Sequence, residues 1–318
     1  MKISIIVPCY NEESNVRAFY NEILMLPEKL PEGTELELIF VNDGSRDKTM
    51  EIIKELARSD SMVKYIDFSR NFGKEAAMLA GLEHAGGDYI VVIDADLQDP
   101  PSLIPEMYNI IRNGDYERVA TRRVDRKGEP PIRSFFARMF YKLINKISDV
   151  KIVDGARDFS MMSRKMVDSV LSLKEKNRFS KGLFEWAGYK TKWLEFKNHS
   201  RNAGSSKWSF WKLFSYSIEG IVSFSSYPLV LSAILGVILC FVSLFFVAVI
   251  VIRKIFFGDP VAGWASTISV ILFVSGLQQL MIGIIGSYLA RIFIEIKDRP
   301  SYVVLETNIG SETKQDNA

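Results

Sequence analysis

Cysteine is nearly absent from the 318-residue chain, which has only Cys9 and Cys240. One falls in an expected strand and the other in an apolar run, which argues against a disulfide framework. Histidine is as scarce, at His84 and His199. A histidine-rich zinc centre is therefore disfavoured, and a metal here should have oxygen ligands. Net charge is small too: 40 Lys and Arg stand against 38 Asp and Glu, leaving +2. That balance argues neither for nor against nucleic acid. The opening "MKISIIVPCYNEES" is too briefly apolar for a secretory leader and reads as a first strand. There is no internal repeat, and only the tail "GSETKQDNA" has a disordered composition.

Charge is missing altogether from two stretches. Leu229 to Ile252 runs 24 residues without a charged side chain, and Ala265 to Ala290 runs 26. At ~1.5 Å per residue each exceeds the ~30 Å hydrocarbon core of a bilayer. A pair of buried core helices is the alternative, but soluble helices this long rarely lack every charge. The connector "RKIFFGDPVAGW" is too short for a domain, so the runs predict a transmembrane hairpin. Lys207 and Lys212 precede it and Arg291, Lys297 and Arg299 follow it, while Arg253 and Lys254 lie at the turn. The positive-inside rule then places both large ends in the cytoplasm, making the protein a multi-pass protein of the cytoplasmic membrane. Just before the first run, Trp208, Phe210, Trp211, Phe214 and Tyr216 interleave with Lys207 and Lys212. That pattern predicts helices at headgroup level, with an amphipathic core helix as the bland alternative. The expected organisation is a cytoplasmic domain over 1–206, an interfacial segment over 207–227, the hairpin within 228–290 and a cytoplasmic tail over 291–318.

In the first part, apolar runs alternate with helical patterns. "KISIIVP", "LELIFVND", "VKYIDFS" and "YIVVID" read as strands. Helices are expected from about Glu12 and Asp47, over Lys74 to His84, and over Ser102 to Arg112. Continuous rather than alternating apolar residues suggest strands covered on both faces, hence a mostly parallel sheet in a doubly wound α/β domain. Ligands of such domains bind beyond the carboxyl ends of the strands. "PCYNEES", "NDGSRD", "SRNFGKEAA" and "DADLQD" all follow strands and so share one rim. Each alone is ordinary turn and cap chemistry. In "VVIDADLQDPP", however, Asp94, Asp96 and Asp99 crowd together, and something positive must compensate them.

These pieces, together with "DFSMMSR", "RNAGSSKWS" and "YLARIFIEIKDRPSYVV", resemble family 2 glycosyltransferases with the GT-A fold. The likeness is to membrane-anchored polyprenyl-phosphate glycosyltransferases, among them dolichol-phosphate mannose synthase and bactoprenol glucosyltransferases. It implies inverting transfer of one sugar from a nucleoside diphosphate sugar, UDP rather than GDP, to a polyprenyl phosphate such as undecaprenyl phosphate. The sugar stays open, with glucose and an N-acetylhexosamine foremost. A Mg²⁺ or Mn²⁺ ion would set positive charge against the leaving diphosphate. The resemblance implies Asp96 and Gln98 as metal ligands with Asp94 beside the ribose or metal, and Ala95 within the same nucleotide contact. It also implies Pro8, Tyr10 and Glu12 around uracil and ribose, Asp43 at the base edge, and Lys74 near the nucleotide. Pro8 serves equally well as a strand terminator, and Asp99 is left as a helix cap.

The acceptor side is basic. Arg122, Arg123, Arg126, Lys127, Arg133 and Arg138 fall within 17 residues, beside an apolar face of Phe135, Phe136, Met139, Phe140 and Leu143. A solvated charge run is the default reading of such a segment. Guanidinium groups beside an apolar face also suit a lipid phosphate. By resemblance, Arg122, Arg133, Arg201 and Lys207 grip the acceptor. A phosphate monoester is largely dianionic near neutral pH, with a second pKa of about 6, so it needs no strong base. Asp158, in "GARDFS", matches the family's catalytic carboxylate; it could act as a base, orient the sugar, or simply pair with Arg157 or Arg164. Relatives associate through their spans, so a homo-oligomer is expected and no nucleic-acid partner. A processive polysaccharide synthase is a weaker reading, since there is no Gln-x-x-Arg-Trp sequence. A silent nucleotide-binding scaffold is disfavoured by the intact "DADLQD".

Overall fold

The computed structural model describes residues 1–123, 145, 153, 155–176, 178–196, 227–257 and 263–310. Arg126, Lys127, Arg133, Arg138, Arg201, Lys207 and the interfacial segment up to residue 226 lie outside the described residues.

The apolar runs are strands, and their neighbours in the sheet explain why they are apolar throughout. β1 (Lys2–Cys9) lies between β2 (Glu35–Asn42) and β4 (Tyr89–Val92), parallel to both. Ile3, Ile5, Ile6 and Val7 are all fully buried, so both faces of this strand are covered. β3 (Val63–Phe68) continues the parallel set beyond β2. Past β4, β6 (Ala156–Ser163) is antiparallel to β4 and to β5 (Arg118–Arg123), and β7 (Thr191–Phe196) runs parallel to β5. The full order is β7-β5-β6-β4-β1-β2-β3-β8. The sheet is mixed, with a parallel centre, an arrangement of the Rossmann-like GT-A type.

Helices cover both faces. α1 (Val16–Leu24), α2 (Thr49–Ser59) and α4 (Ile104–Asn113) pack one face through Phe19, Ile23, Ile53, Met107 and Ile111. α3 (Lys74–His84), α5 (Arg164–Leu171) and α6 (Ser180–Trp186) pack the other through Ala77, Ala80, Met166, Val167 and Phe184. Burying a side chain such as Phe19 contributes ~1.5–3 kcal/mol. The small side chains of α3 let its backbone approach β1 closely: a Cβ on Gly81 would stand 2.2 Å from Cγ2 of Ile6.

Two long helices follow, α7 (Tyr227–Phe257) and α8 (Trp264–Ile296). Large apolar side chains stand exposed along both, among them Phe241, Phe245, Phe273 and Leu289. Among the described residues one segment, Phe273–Ile296, is long and apolar enough to cross a membrane. The chain does not then trail away as the tail expected for 291–318. Val304–Thr307 forms β8 and pairs antiparallel with β3, closing that edge of the sheet.

Candidate active site

β1, β2 and β3 proceed one way from the centre and β4 lies on the other side of β1, so the strand order reverses between β1 and β4. In an open α/β sheet the crevice at such a reversal is the preferred ligand site. Loops from four strand ends meet there and hydrogen bonds stitch them together. Asn11 and Glu12 donate their backbone N–H to Ser45 Oγ (3.0 Å) and Thr49 Oγ1 (2.8 Å), joining the first rim to the second. Asp43 joins the second to the third, accepting from the N–H of Phe72 (2.6 Å) and of Gly73 (3.0 Å). Burial pushes the Asp43 carboxyl up from its ordinary value despite these two donors and the nearby Arg70. Gly44 lets the two loops touch: it has φ +65°, and a Cβ there would lie 2.5 Å from the carbonyl carbon of Arg70.

Lys74, the first residue of α3, is the node of the site. Its Nζ lies 2.6 Å from Asp94 and 2.5 Å from Asp158, joining the ends of β4 and β6. Burial pulls the Lys74 pKa down, but Asp94 and Asp158 more than offset it, so the ammonium is held charged well above its ordinary value. Burial likewise pushes Asp158 up, while Lys181, Lys74 and Arg157 outweigh it and hold this carboxylate well below the usual range. Lys181 donates to the Ala156 carbonyl (2.9 Å) and stands 3.6 Å from Asp158. α6 delivers it, pinned at one end by Ser180, whose N–H donates to Glu75 (2.9 Å). At the other end Glu185 pairs with Arg118 (2.9 Å), which is buried against the rings of Phe184 and Trp193.

Part of the negative charge of the lip after β4 is offset from within the protein, by Lys74 at Asp94 and by Arg157 at Asp99. Asp99 is 1% exposed and is more than a helix cap: Arg157 donates to it from Nε (3.0 Å) and Nη2 (3.2 Å). Arg157 also reaches Gln98 Oε1 (3.3 Å). Among the described residues the site counts four carboxylates, Asp94, Asp96, Asp99 and Asp158, against three cations, Lys74, Arg157 and Lys181. Asp158 pairs with the two lysines, not with Arg157 or Arg164. Lys181 escaped the sequence reading, and nothing local announces it; Arg157 was expected as a partner of Asp158 and binds Asp99 instead.

Asp96 closes a tight turn, accepting from the N–H of Gln98 (3.1 Å) around Leu97 at φ 56°. Among the described residues no three His, Cys, Asp or Glu side chains gather as a metal cluster. Asp94, Asp96 and Gln98 offer oxygen donors only, which fits a hard divalent ion held by one or two carboxylates with phosphates completing its shell. Ala95 is buried between the two aspartates. Pro8 does not terminate β1, which continues through Cys9; it pairs in register with Val41, Tyr10 is 43% exposed, and Glu12 accepts from Asn15 Nδ2 (2.6 Å). Arg122 is on β5 with its guanidinium on Glu195, so that cation already has a carboxylate partner.

A profile of the family described as "Glycosyl transferase family 2" matches residues 4–171. The chain is 42% identical over 311 residues to the SfII prophage-derived bactoprenol glucosyl transferase of Shigella flexneri, covering 98% of this chain and 100% of that protein. It is 44% identical over 307 residues to the provisionally named glycosyltransferase CsbB of Bacillus subtilis, covering 96% and 92%. Among solved structures it is similar to glucosyl-3-phosphoglycerate synthase of Mycobacterium tuberculosis, determined with Mn²⁺, UDP and phosphoglyceric acid. That similarity has 19% identity and a TM-score of 0.46, over 70% of this chain and 76% of the other.

Proposed function

The chain belongs to glycosyl transferase family 2 and is a glycosyltransferase, and from that premise we propose that it moves a single sugar from a nucleoside diphosphate sugar, UDP-glucose first, to a polyprenyl phosphate in a membrane. The observation that carries this reading is the node at Lys74, where carboxylates from two strand ends converge at the reversal of strand order. Full-length similarity to a bactoprenol glucosyl transferase supports the acceptor class. The hairpin reading rests on α7 and α8, whose apolar surfaces stand exposed on helices of 31 and 33 residues. Both cross the bilayer in this proposal, with the catalytic domain on the cytoplasmic side.

The chemistry follows from charge. The acceptor phosphate attacks the anomeric carbon as a dianion and gives up no proton. Asp158, fixed as an anion by two lysines and by Arg157, is a poor base; it orients the sugar and stabilises positive character at the ring as the bond to the diphosphate breaks. Lys74 holds Asp158 in register with the β4 lip. Asp96 and Gln98, with Asp94, would hold a divalent cation, which when bound supplies positive charge against the departing diphosphate. Pro8, Tyr10, Glu12, Asp43 and Ala95 surround the nucleoside end of the donor. Arg122, Arg133, Arg201 and Lys207 serve the acceptor phosphate, and Arg122 must leave Glu195 to do so. One displacement inverts the anomeric centre.

The test is transfer from radiolabelled UDP-glucose to undecaprenyl phosphate by purified full-length protein in nanodiscs, with products separated on thin layers. A lipid-linked monosaccharide is expected. A polymer would instead indicate a processive synthase, and no lipid-linked sugar from a panel of UDP- and GDP-sugars would overturn the reading.

A further inference from the structure

The segment leaving α8 reaches back to the loop that carries Lys74. Tyr302 stacks on Phe68, with ring centroids 4.9 Å apart and planes 17° from parallel. Its hydroxyl donates to Glu83, and the neighbouring Val303 carbonyl accepts from the N–H of Ser69 (3.0 Å). Phe68 in turn meets Phe72 edge to face, at 5.7 Å and 88°. Phe72 is the residue whose N–H donates to Asp43, and Gly73 beside it donates to the same carboxylate before Lys74 opens α3. Arg70 closes the far side, its guanidinium 4.1 Å from the Phe72 ring.

An unbroken series of packed groups therefore runs from Tyr302, four residues after the end of the C-cap turn of α8, to Asp43 and Lys74. β8 fixes the start of that series in place. Glu306 pairs with Lys54 and accepts from the Tyr65 hydroxyl (2.7 Å), and Asn308 accepts from the Tyr65 N–H (2.7 Å). The segment is held at both ends and cannot slide along β3 without breaking these bonds.

We propose that Tyr302 is a positioning residue for the 69–74 loop, so that the segment following the last long helix completes the donor site from behind. The inference rests on the donor reading given above. It assigns Tyr302 no contact with substrate; the ring acts through Phe68 and Phe72, setting where the loop presents Lys74 and how firmly it holds Asp43. Loss of the ring loosens the donor side and leaves the acceptor side, built by other elements, as it was.

Steady-state transfer by the full-length protein in nanodiscs, with UDP-glucose and undecaprenyl phosphate varied in turn, tests this against UDP affinity from calorimetry. Tyr302→Leu should raise the KM for UDP-glucose and the Kd for UDP by about tenfold, with the KM for undecaprenyl phosphate within twofold of wild type. Tyr302→Phe keeps the stacked ring and should stay within threefold on every constant. Phe72→Leu interrupts the same series without touching β8 and should reproduce the donor defect, which covers the case of a Tyr302→Leu protein that does not fold. Equal losses for donor and acceptor, an unchanged donor KM in both leucine variants, or a Tyr302→Phe defect as large as that of Tyr302→Leu overturns the proposal. Failure of the donor reading itself is separate: wild type would then bind no UDP, or Asp96→Asn would transfer normally.

Discussion

In the proposed reaction Asp158 and Asp96 have different settings, the one paired with two lysines and the other in a tight turn. For Asp158 the sign of the shift decides the pH behaviour. Its folded pKa lies below the unfolded value of ~3.9, so the ion-pair stabilisation is present above that value and is lost only as pH falls through the folded one. The group is therefore ionised across the neutral and mildly acid range. The acid limb of kcat/KM should follow the acceptor phosphate, near pH ~6, as the dianion takes up a proton. Asp158→Asn should lower kcat by ~10²–10³ and leave that limb where it was. A limb that disappears in the variant would make Asp158 the titrating base. Asp96→Asn should cost about three powers of ten in transfer, equivalent to several kcal/mol at the barrier. Circular dichroism should show it folded.

At the scale of elements, the strands of the sheet centre and the existence of the helices between them were legible where short-range patterns define them. α3 spans Lys74–His84 as expected, and the carboxylates of "DADLQD" sit on the rim after β4. α1 and α2 begin at Val16 and Thr49, a few residues later than expected, because Glu12, Glu13 and Asp47 are spent on bonds between the two loops. What escaped is what depends on distant partners. β5, "RVATRR", is half charged, and its Arg118 is buried only because Glu185, Phe184 and Trp193 enclose it. Lys181 meets Asp158 through the seating of α6, which no local spacing encodes. Close packing of α3 gives a direct prediction. Gly81→Ala drives a methyl into Ile6 and should destabilise the domain by about 1–3 kcal/mol. In thermal unfolding that corresponds to roughly 2–4 °C per kcal/mol, with donor KM little changed. An unshifted midpoint would mean that the helix backs away without cost.

Across the whole molecule, the proposed reaction takes its donor side from the β1–β4 loops and its acceptor side from basic residues next to the membrane. The two should separate in mutagenesis. In the proposed reaction Arg133→Ala should raise the KM for undecaprenyl phosphate about tenfold or more, the cost of one charge-assisted phosphate contact, while UDP affinity stays at the wild-type value. Parallel loss of both would move Arg133 out of the acceptor site. The long helices were legible from their missing charges alone; that the chain returns from them to finish the sheet was not. β8 has only four residues, and "VLET" offers too short a pattern to distinguish a strand from a tail.

The antiparallel pairing of β8 with β3 also sets an order of manufacture. Ribosomes add about 5–20 residues per second, so β3 emerges roughly 10–50 s before its edge partner exists. Until α7 and α8 have been synthesised, β3 is an open edge able to recruit another chain's strand. A newborn chain is thus a sheet one strand short, and it becomes a finished domain only after the two long helices have been made.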